Sequence, residues 1–282
     1  MIVHEAKLPP VTRRACLAAP LAWFGAGLSP AFAQTRPASP VLIGGTGSGL
    51  APVHSVAAGL RLGVSFVPNL GSGGGIKALQ AGAVDLALSA RPASDAERAA
   101  GLVDRPWFRT PFIWCVQATV PVQRVTTAEL VALYAGRTAR WPDGEFVRLV
   151  LRPEGDSDSQ LMRSAHPQLA QALALASQRP GMRVAMTDDD AITDIERISG
   201  ALGASSLAMV RSHPRAVRVL ELDGVAPDTG TLWDGRYRLA KTVYLITRGT
   251  PGEAVQAVLQ RLATASARDS FLKLGCVPLT AG

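Results

Sequence analysis

Three stretches of this chain set glycine and small polar residues at the start of a predicted helix. Gly44-Gly45-Thr46-Gly47-Ser48-Gly49 follows the apolar run Val41–Ile43. Gly71-Ser72-Gly73-Gly74-Gly75 precedes Ile76-Lys77-Ala78-Leu79, and Ser89-Ala90-Arg91-Pro92-Ala93-Ser94 follows Val84–Leu88. Such loops gather free main-chain N–H groups, hydroxyls and the positive end of a helix around one point, which is what an oxyanion requires. Glycine also lets the main chain approach a ligand without a Cβ clash. One such loop is an ordinary turn; three in succession at strand C-terminal ends favour an anion site. A fourth segment, Arg152-Pro153-Glu154-Gly155-Asp156-Ser157-Asp158-Ser159, puts an arginine at a strand end, able to fork onto two oxygens, with Ser157 and Ser159 at the next helix start. Alone it reads as an N-cap at Asp156 or Ser157 with Arg152 paired to a carboxylate. Beside the other three loops it reads as the opposite wall of one site.

Rival chemistries fail on spacing. A dinucleotide fingerprint needs a third glycine where Leu50 stands, and a P-loop needs Gly-Lys-Ser/Thr where Lys77 lies between Ile76 and Ala78. No G-x-S-x-G elbow is present, since Thr46 precedes Ser48 and Leu50 follows it at the glycine positions. His54, His166 and His213 lack the spacing of metal ligands. These absences predict neither an enzyme nor a metal or cofactor site.

The N-terminus carries its own information. Arg13-Arg14, the small apolar run Ala15–Leu28 and Pro30-Ala31-Phe32-Ala33 have the layout of a signal peptide over residues 1–33, cleaved after about Ala33. The arginine pair fits a twin-arginine export signal, and an ordinary Sec signal tolerates it too. Cys16 stands at the start of the apolar run rather than after it, which argues against a lipoprotein site. The expected compartment is the periplasm, where a bridge could persist between the two other cysteines, Cys115 and Cys276. Their apolar settings favour buried free thiols.

Positioning these loops requires alternating strands and helices. The chain has 282 residues, enough for one large or two modest domains, and its formal charge is +7. Of its 29 basic residues 25 are arginines, dispersed rather than striped, and aromatics make up 5%, so no nucleic-acid surface is expected. Strands are predicted at Val41–Gly44, Val64–Val67, Val84–Leu88, Phe112–Val116 and Arg148–Leu151, with helices starting near Leu50, Gly75 and Ser94. Thr126-Thr127-Ala128-Glu129 is a capping box ahead of a helix bearing Leu130, Leu133 and Tyr134. One helix is predicted from about Ser157 to Ser177. Segments Asp188–Ser199, Ser206–Val210, Val217–Leu220 and Val243–Thr247 continue the alternation, and Thr250-Pro251-Gly252-Glu253 caps a final helix. The expected fold class is α/β, in two lobes.

At these residues the chain resembles the periplasmic phosphate-binding protein family, the solute-binding components of ABC phosphate importers. Gly45-Thr46-Gly47-Ser48 is similar to that family's first phosphate loop, Gly71–Lys77 to its second and Val84–Pro92 to its third. Tyr134-Ala135-Gly136, Trp141-Pro142-Asp143-Gly144, Gly200-Ala201-Leu202-Gly203 and Leu274–Leu279 match further landmarks. The resemblance implies a type 2 periplasmic-binding-protein fold, each lobe a mixed sheet flanked by helices around a hinged cleft. It places lobe 1 at 34–117 plus 240–282 and lobe 2 at 118–239. Phosphate would be held by Thr46, Gly47, Ser48, Ser72, Gly73, Ser89 and Arg91 from one side and by Arg152, Asp156, Ser157 and Ser159 from the other. A monomer delivering phosphate to an ABC transporter permease is implied; an anion-sensing module of the same fold and an exported hydrolase are the alternatives. Two departures stand out. Many members carry an aspartate that accepts the phosphate proton where this chain has Ala90, a role left here to Asp156 or Asp158. Ser-Gly-Thr is the usual sequence after the second-lobe arginine, and here it is Asp156-Ser157-Asp158-Ser159.

Overall fold

Apolar runs bounded by glycine turns become strands, and the segments between them become helices that cover the sheet. The computed structural model describes residues 40–279, so the signal-peptide reading of residues 1–33, Cys16 included, lies outside the described residues. The chain opens with β1 (Val41–Gly45), α1 (Gly47–Gly59), β2 (Val64–Val67), α2 (Gly71–Gln80), β3 (Leu86–Ser89) and α3 (Asp95–Ala99). β1 pairs in parallel with β2 and β3, with Val41 opposite Val64 and Gly45 opposite Leu88. All three glycine-serine loops therefore leave the same edge of one parallel sheet, as crossover connections require.

The sixteen-residue β4 (Leu102–Gln117) comes next. It is followed by β5 (Arg124–Val125), α4 (Thr127–Tyr134), β6 (Arg148–Leu151), α5 (Ser157–Ala165), α6 (Pro167–Ser177), β7 (Arg183–Val184) and α7 (Asp188–Arg197). Then come β8 (Ala201–Ser206), α8 (Leu207–Ser212), β9 (Val217–Val219), β10 (Glu221–Leu222), α9 (Thr229–Trp233), β11 (Ala240–Arg248), α10 (Glu253–Leu262), α11 (Ala265–Lys273) and β12 (Val277–Pro278). The strand order β2-β1-β3-β11-β4-β8-β6-β7 runs through β4, which serves two sheet halves. From Leu102 to Pro111 it pairs antiparallel with β11, and from Phe112 to Val116 with β8. The change of partner falls where Pro111 has no N–H to donate.

Each half has its own apolar core. Ile43, Val53, Leu86, Leu88, Phe108, Val243 and Phe271 pack in the first, and Phe112, Trp114, Leu130, Tyr134, Leu149, Leu169 and Leu202 in the second. A third cluster joins Ala51 of α1 to Ile113, Val150, Ile192, Ile195 and Met209. Cys115 and Cys276 are free and fully buried in different clusters. Burial pushes the Cys115 thiol up to about 12, so it stays protonated and inert.

Local chemistry explains where the predicted elements change. The single helix expected over 157–177 is two, because Pro167 cannot continue a preceding turn. His166 is extended there (φ −157°, ψ 132°), and its Nδ1 accepts from Gln168 N at 3.2 Å, capping α6. The helix after Thr250 starts at Glu253 with Gly252 as its cap, and it is not the last. α11 follows, capped by Thr264. The Thr126–Glu129 capping box forms in full, each partner bonding the other's main chain.

Candidate functional site

The turn from β1 into α1 is built on backbone contact. Gly45 has φ +139°, and a Cβ there would lie 1.9 Å from the Leu88 carbonyl oxygen, so only glycine fits. Gly75 of α2 seats against it: an added Cβ would be 2.6 Å from Gly45 Cα. Thr46 is the N-cap of α1 but makes no side-chain cap bond to its own helix. Its hydroxyl instead donates to Asp188 Oδ2 at 2.8 Å, and the Ser48 N–H donates to the same oxygen at 3.1 Å. Asp188 is the first residue of α7. It reaches α1 closely because Gly47 lacks a side chain; a Cβ there would meet Asp188 Cβ at 2.7 Å.

Two cations complete the group. Lys241 of β11 donates to Ser48 Oγ at 2.8 Å, stands 3.5 Å from Asp188 Oδ1 and forms an ion pair with Asp158. Arg152, at the end of β6, donates to Asp156 Oδ2 and to the Ala185 carbonyl, both at 2.8 Å, with Nη2 3.9 Å from Asp188 Oδ1. Hydroxyl, helix amide, ammonium and guanidinium thus converge on one carboxylate that belongs to the chain itself.

Two cations face three aspartates, Asp156, Asp158 and Asp188, so the fully ionised group carries one net negative charge. Burial pushes the Asp158 carboxyl up to about 6, with Asp188 and Asp156 adding to the effect while Lys241 and Arg152 oppose it. Burial acts on Asp188 in the same direction. There Lys241, Arg152 and the bonds from Thr46 and Ser48 outweigh it and hold the carboxyl well below the usual carboxylate range. Burial would lower the Lys241 ammonium, but Asp158 and Asp188 outweigh that and keep it above its ordinary value, hence charged.

Beside this group lies an open cleft of about 770 Å³. Of the residues singled out from sequence, Thr46, Ser72, Gly73, Arg91, Asp156 and Ser157 line it. Ser72 Oγ accepts from Ala90 N at 2.9 Å, which ties the second loop to the third. Arg91 reaches the cleft wall, but its guanidinium forks onto Glu97 at 2.7 and 2.8 Å. That bond draws the Glu97 carboxyl down to about 2. Ser89 is fully buried and donates to the Arg91 carbonyl at 2.7 Å, shaping the third loop from within. Gly47, Ser48 and Arg152 sit behind the cleft surface around Asp188, and Ser159 Oγ donates to the Arg152 carbonyl at 3.1 Å. Asp156 caps α5 by accepting from Asp158 N at 2.9 Å while pairing with Arg152. Asp188 and Lys241 did not emerge from sequence reasoning. Their only signals are a lysine near the start of a strand whose middle is apolar and an aspartate heading the run Asp188-Asp189-Asp190, which also reads as helix-dipole chemistry. Among the described residues no group of three His, Cys, Asp or Glu side chains could hold a metal ion.

Residues 34–265 match the PBP superfamily domain. The chain belongs to that superfamily. Its fold is the type 2 periplasmic-binding-protein fold, a mixed α/β structure with sheet flanked by helices. Solved structures repeat it. A protein assigned as a phosphate ABC transporter substrate-binding protein with bound phosphate, from Clostridium perfringens, superposes with a TM-score of 0.68 at 16% identity, over 86% of this chain and all of that one. A phosphate-binding protein from Stenotrophomonas maltophilia gives 0.62 at 16% identity, over 86% of this chain and 91% of that one. The reduced form of OxyR from N. meningitidis gives 0.55 at 12% identity, over 86% and 100%. At such identities the likeness speaks for the fold alone, and the fold serves more than one task. Among curated proteins the chain has no match in sequence.

Proposed function

We propose that this chain is an exported solute-binding protein that captures a small oxyanion, phosphate first, and delivers it to the permease of an ABC importer. Lobe 1, expected at 34–117 and 240–282, would end where β4 changes partner after Pro111. Lobe 2, expected at 118–239, would begin at Phe112, the two closing on the ligand about their connecting strands. The observation that carries this reading is the coordination of the Asp188 carboxylate. Thr46 Oγ1 and Ser48 N hold one of its oxygens at 2.8 and 3.1 Å, while Lys241 and Arg152 face the other at 3.5 and 3.9 Å. A carboxylate oxygen and a phosphate oxygen ask for the same donors. Ser72, Gly73 and the first turn of α2 would complete the shell from the cleft side, with Ser157 opposite. Charge-assisted hydrogen bonds contribute about 1.5–3 kcal/mol each, so a handful suffices for the roughly −8 kcal/mol of micromolar binding. The solute-binding proteins that share this fold, and the Arg13-Arg14 leader with its Ala31-Phe32-Ala33 end, support the export and delivery parts of the reading.

Calorimetry on protein refolded free of ligand tests it. Inorganic phosphate is expected to bind in the micromolar range or tighter. Heat from sulfate or a small carboxylic acid but not from phosphate would reject phosphate as the ligand. No heat from any of the three would reject oxyanion capture.

A further inference from the structure

We propose that Asp188 is the affinity-setting residue of this cleft, a tethered competitor whose carboxylate occupies the oxyanion seat until a free anion displaces it. The inference rests on the oxyanion reading above and adds what governs binding. Thr46 and Ser48 stand at the start of α1, in the first sheet half, and Asp188 stands at the start of α7, on the far side of the cleft. The bonds at 2.8 and 3.1 Å therefore cross from one half to the other and clasp them together. They use the donors an incoming oxyanion would need. The cations are engaged as well, Lys241 by Ser48, Asp158 and Asp188, and Arg152 by Asp156 and the Ala185 carbonyl.

Carboxylate and free anion cannot share this seat. Three aspartates already exceed two cations there, and a second anion beside Asp188, whose side chain is 8% exposed, would meet like charge with little water between them. Asp188 stays ionised across the physiological range, and a proton taken up by Asp158 would remove one charge of the excess yet leave Asp188 and the anion side by side. Binding is then an exchange: Asp188 leaves α1, the anion takes over the Thr46 hydroxyl and the Ser48 amide, and Lys241 and Arg152 face one anionic group before and after. Asp188 seats closely against Gly47, where any Cβ would lie 2.7 Å from that of Asp188, so its approach to α1 depends on glycine at that position. The apparent affinity for a free anion is reduced by the fraction of molecules in the clasped form.

The test uses the full chain, its Asp188→Ala variant and its Asp188→Asn variant, which keeps the side-chain size should the alanine variant fail to fold. Inorganic phosphate is titrated into each by calorimetry, and the radius of gyration is measured by X-ray scattering with and without phosphate. The expected result is binding at least about tenfold tighter in the variants. The phosphate-free variants are also expected to be more extended than the phosphate-free parent, and phosphate should remove that difference. Equal or weaker phosphate binding in both variants would overturn the proposal, the latter meaning that Asp188 serves the ligand directly, and would leave oxyanion capture standing. An unchanged radius in the phosphate-free variants would overturn the clasp. No binding of phosphate by parent or variants would overturn the competitor, and only the further silence of sulfate and a carboxylic acid would take oxyanion capture with it.

Discussion

Replacing Lys241 by methionine removes the ammonium that, among the described residues, faces both Asp158 and Asp188. The Lys241 and Asp158 side chains are 2% and 1% exposed and Asp188 is 8% exposed, so water cannot take over the role of the lost charge. Methionine keeps most of the stem's volume, which limits the loss to the ammonium and its partners. The local balance moves from two cations against three aspartates to one against three, and the Ser48 hydroxyl loses its 2.8 Å donor. Breaking a buried pair by removing one partner costs about 3–5 kcal/mol. Asp158 can limit the damage by taking up a proton, since its carboxyl already sits at about 6, which places the expectation near the lower end of that range. For a domain of this size each kcal/mol moves Tm by about 2–4 °C, so the melting point should fall by about 6–12 °C. Urea titration and thermal melting followed by circular dichroism, both at pH 7.5, read this directly. The double variant Lys241→Met with Asp158→Asn should recover at least about 1 kcal/mol, because the uncompensated carboxylate is gone. A loss below about 1 kcal/mol in the single variant, or no recovery in the double one, would refute the electrostatic account of this cluster.

Two further outcomes follow from the same geometry. The folded-state pKa of Asp158, about 6, lies above the roughly 3.9 of an unfolded aspartate, so the folded state holds the extra proton. That contribution is present in full below pH 4 and is lost as pH rises through 6, on the order of 3 kcal/mol in all. Asp188, held below its ordinary value, acts with opposite sign and costs stability only as pH falls below about 4. Melting temperatures between pH 4 and 7 should therefore decline with pH in the parent and flatten in Asp158→Asn; parallel slopes would contradict this. Gly75→Ala brings a Cβ to 2.6 Å from Gly45 Cα, backbone against backbone, and should cost about 1–3 kcal/mol in urea titrations, whereas a neutral change would mean the loops are not locked together.

The sequence made the local parts legible. β2 keeps the predicted limits between Gly63 and Pro68, β6 keeps them with Pro153 just beyond its end, and the Thr126 capping box needs only residues three apart. The three loops are found at strand ends because glycine and serine follow short apolar runs. The first half of β4 escaped notice, since Asp104, Arg105, Pro106 and Arg109 disguise a strand whose partner, β11, lies more than a hundred residues on. Asp188 and Lys241 were invisible for the same reason. Asp188 bonds Thr46 across 142 positions, and Lys241 bonds Ser48 across 193. Arg91 shows the reverse: a local partner, Glu97, six residues away claims a guanidinium that the loop pattern alone points toward a ligand.

The strand Leu102–Gln117 is common property of both sheets, and this decides how the molecule can flex. In the closure proposed above, a segment gripped at each end by a different ladder would act as a torsion bar with its compliant point at Pro111, where one grip ends and the next begins. Twisting there disturbs few bonds near the axis yet swings the outer strands through wide arcs, so a contact as small as one carboxylate, acting far from the fulcrum, has the leverage to fix the angle between the two sheets.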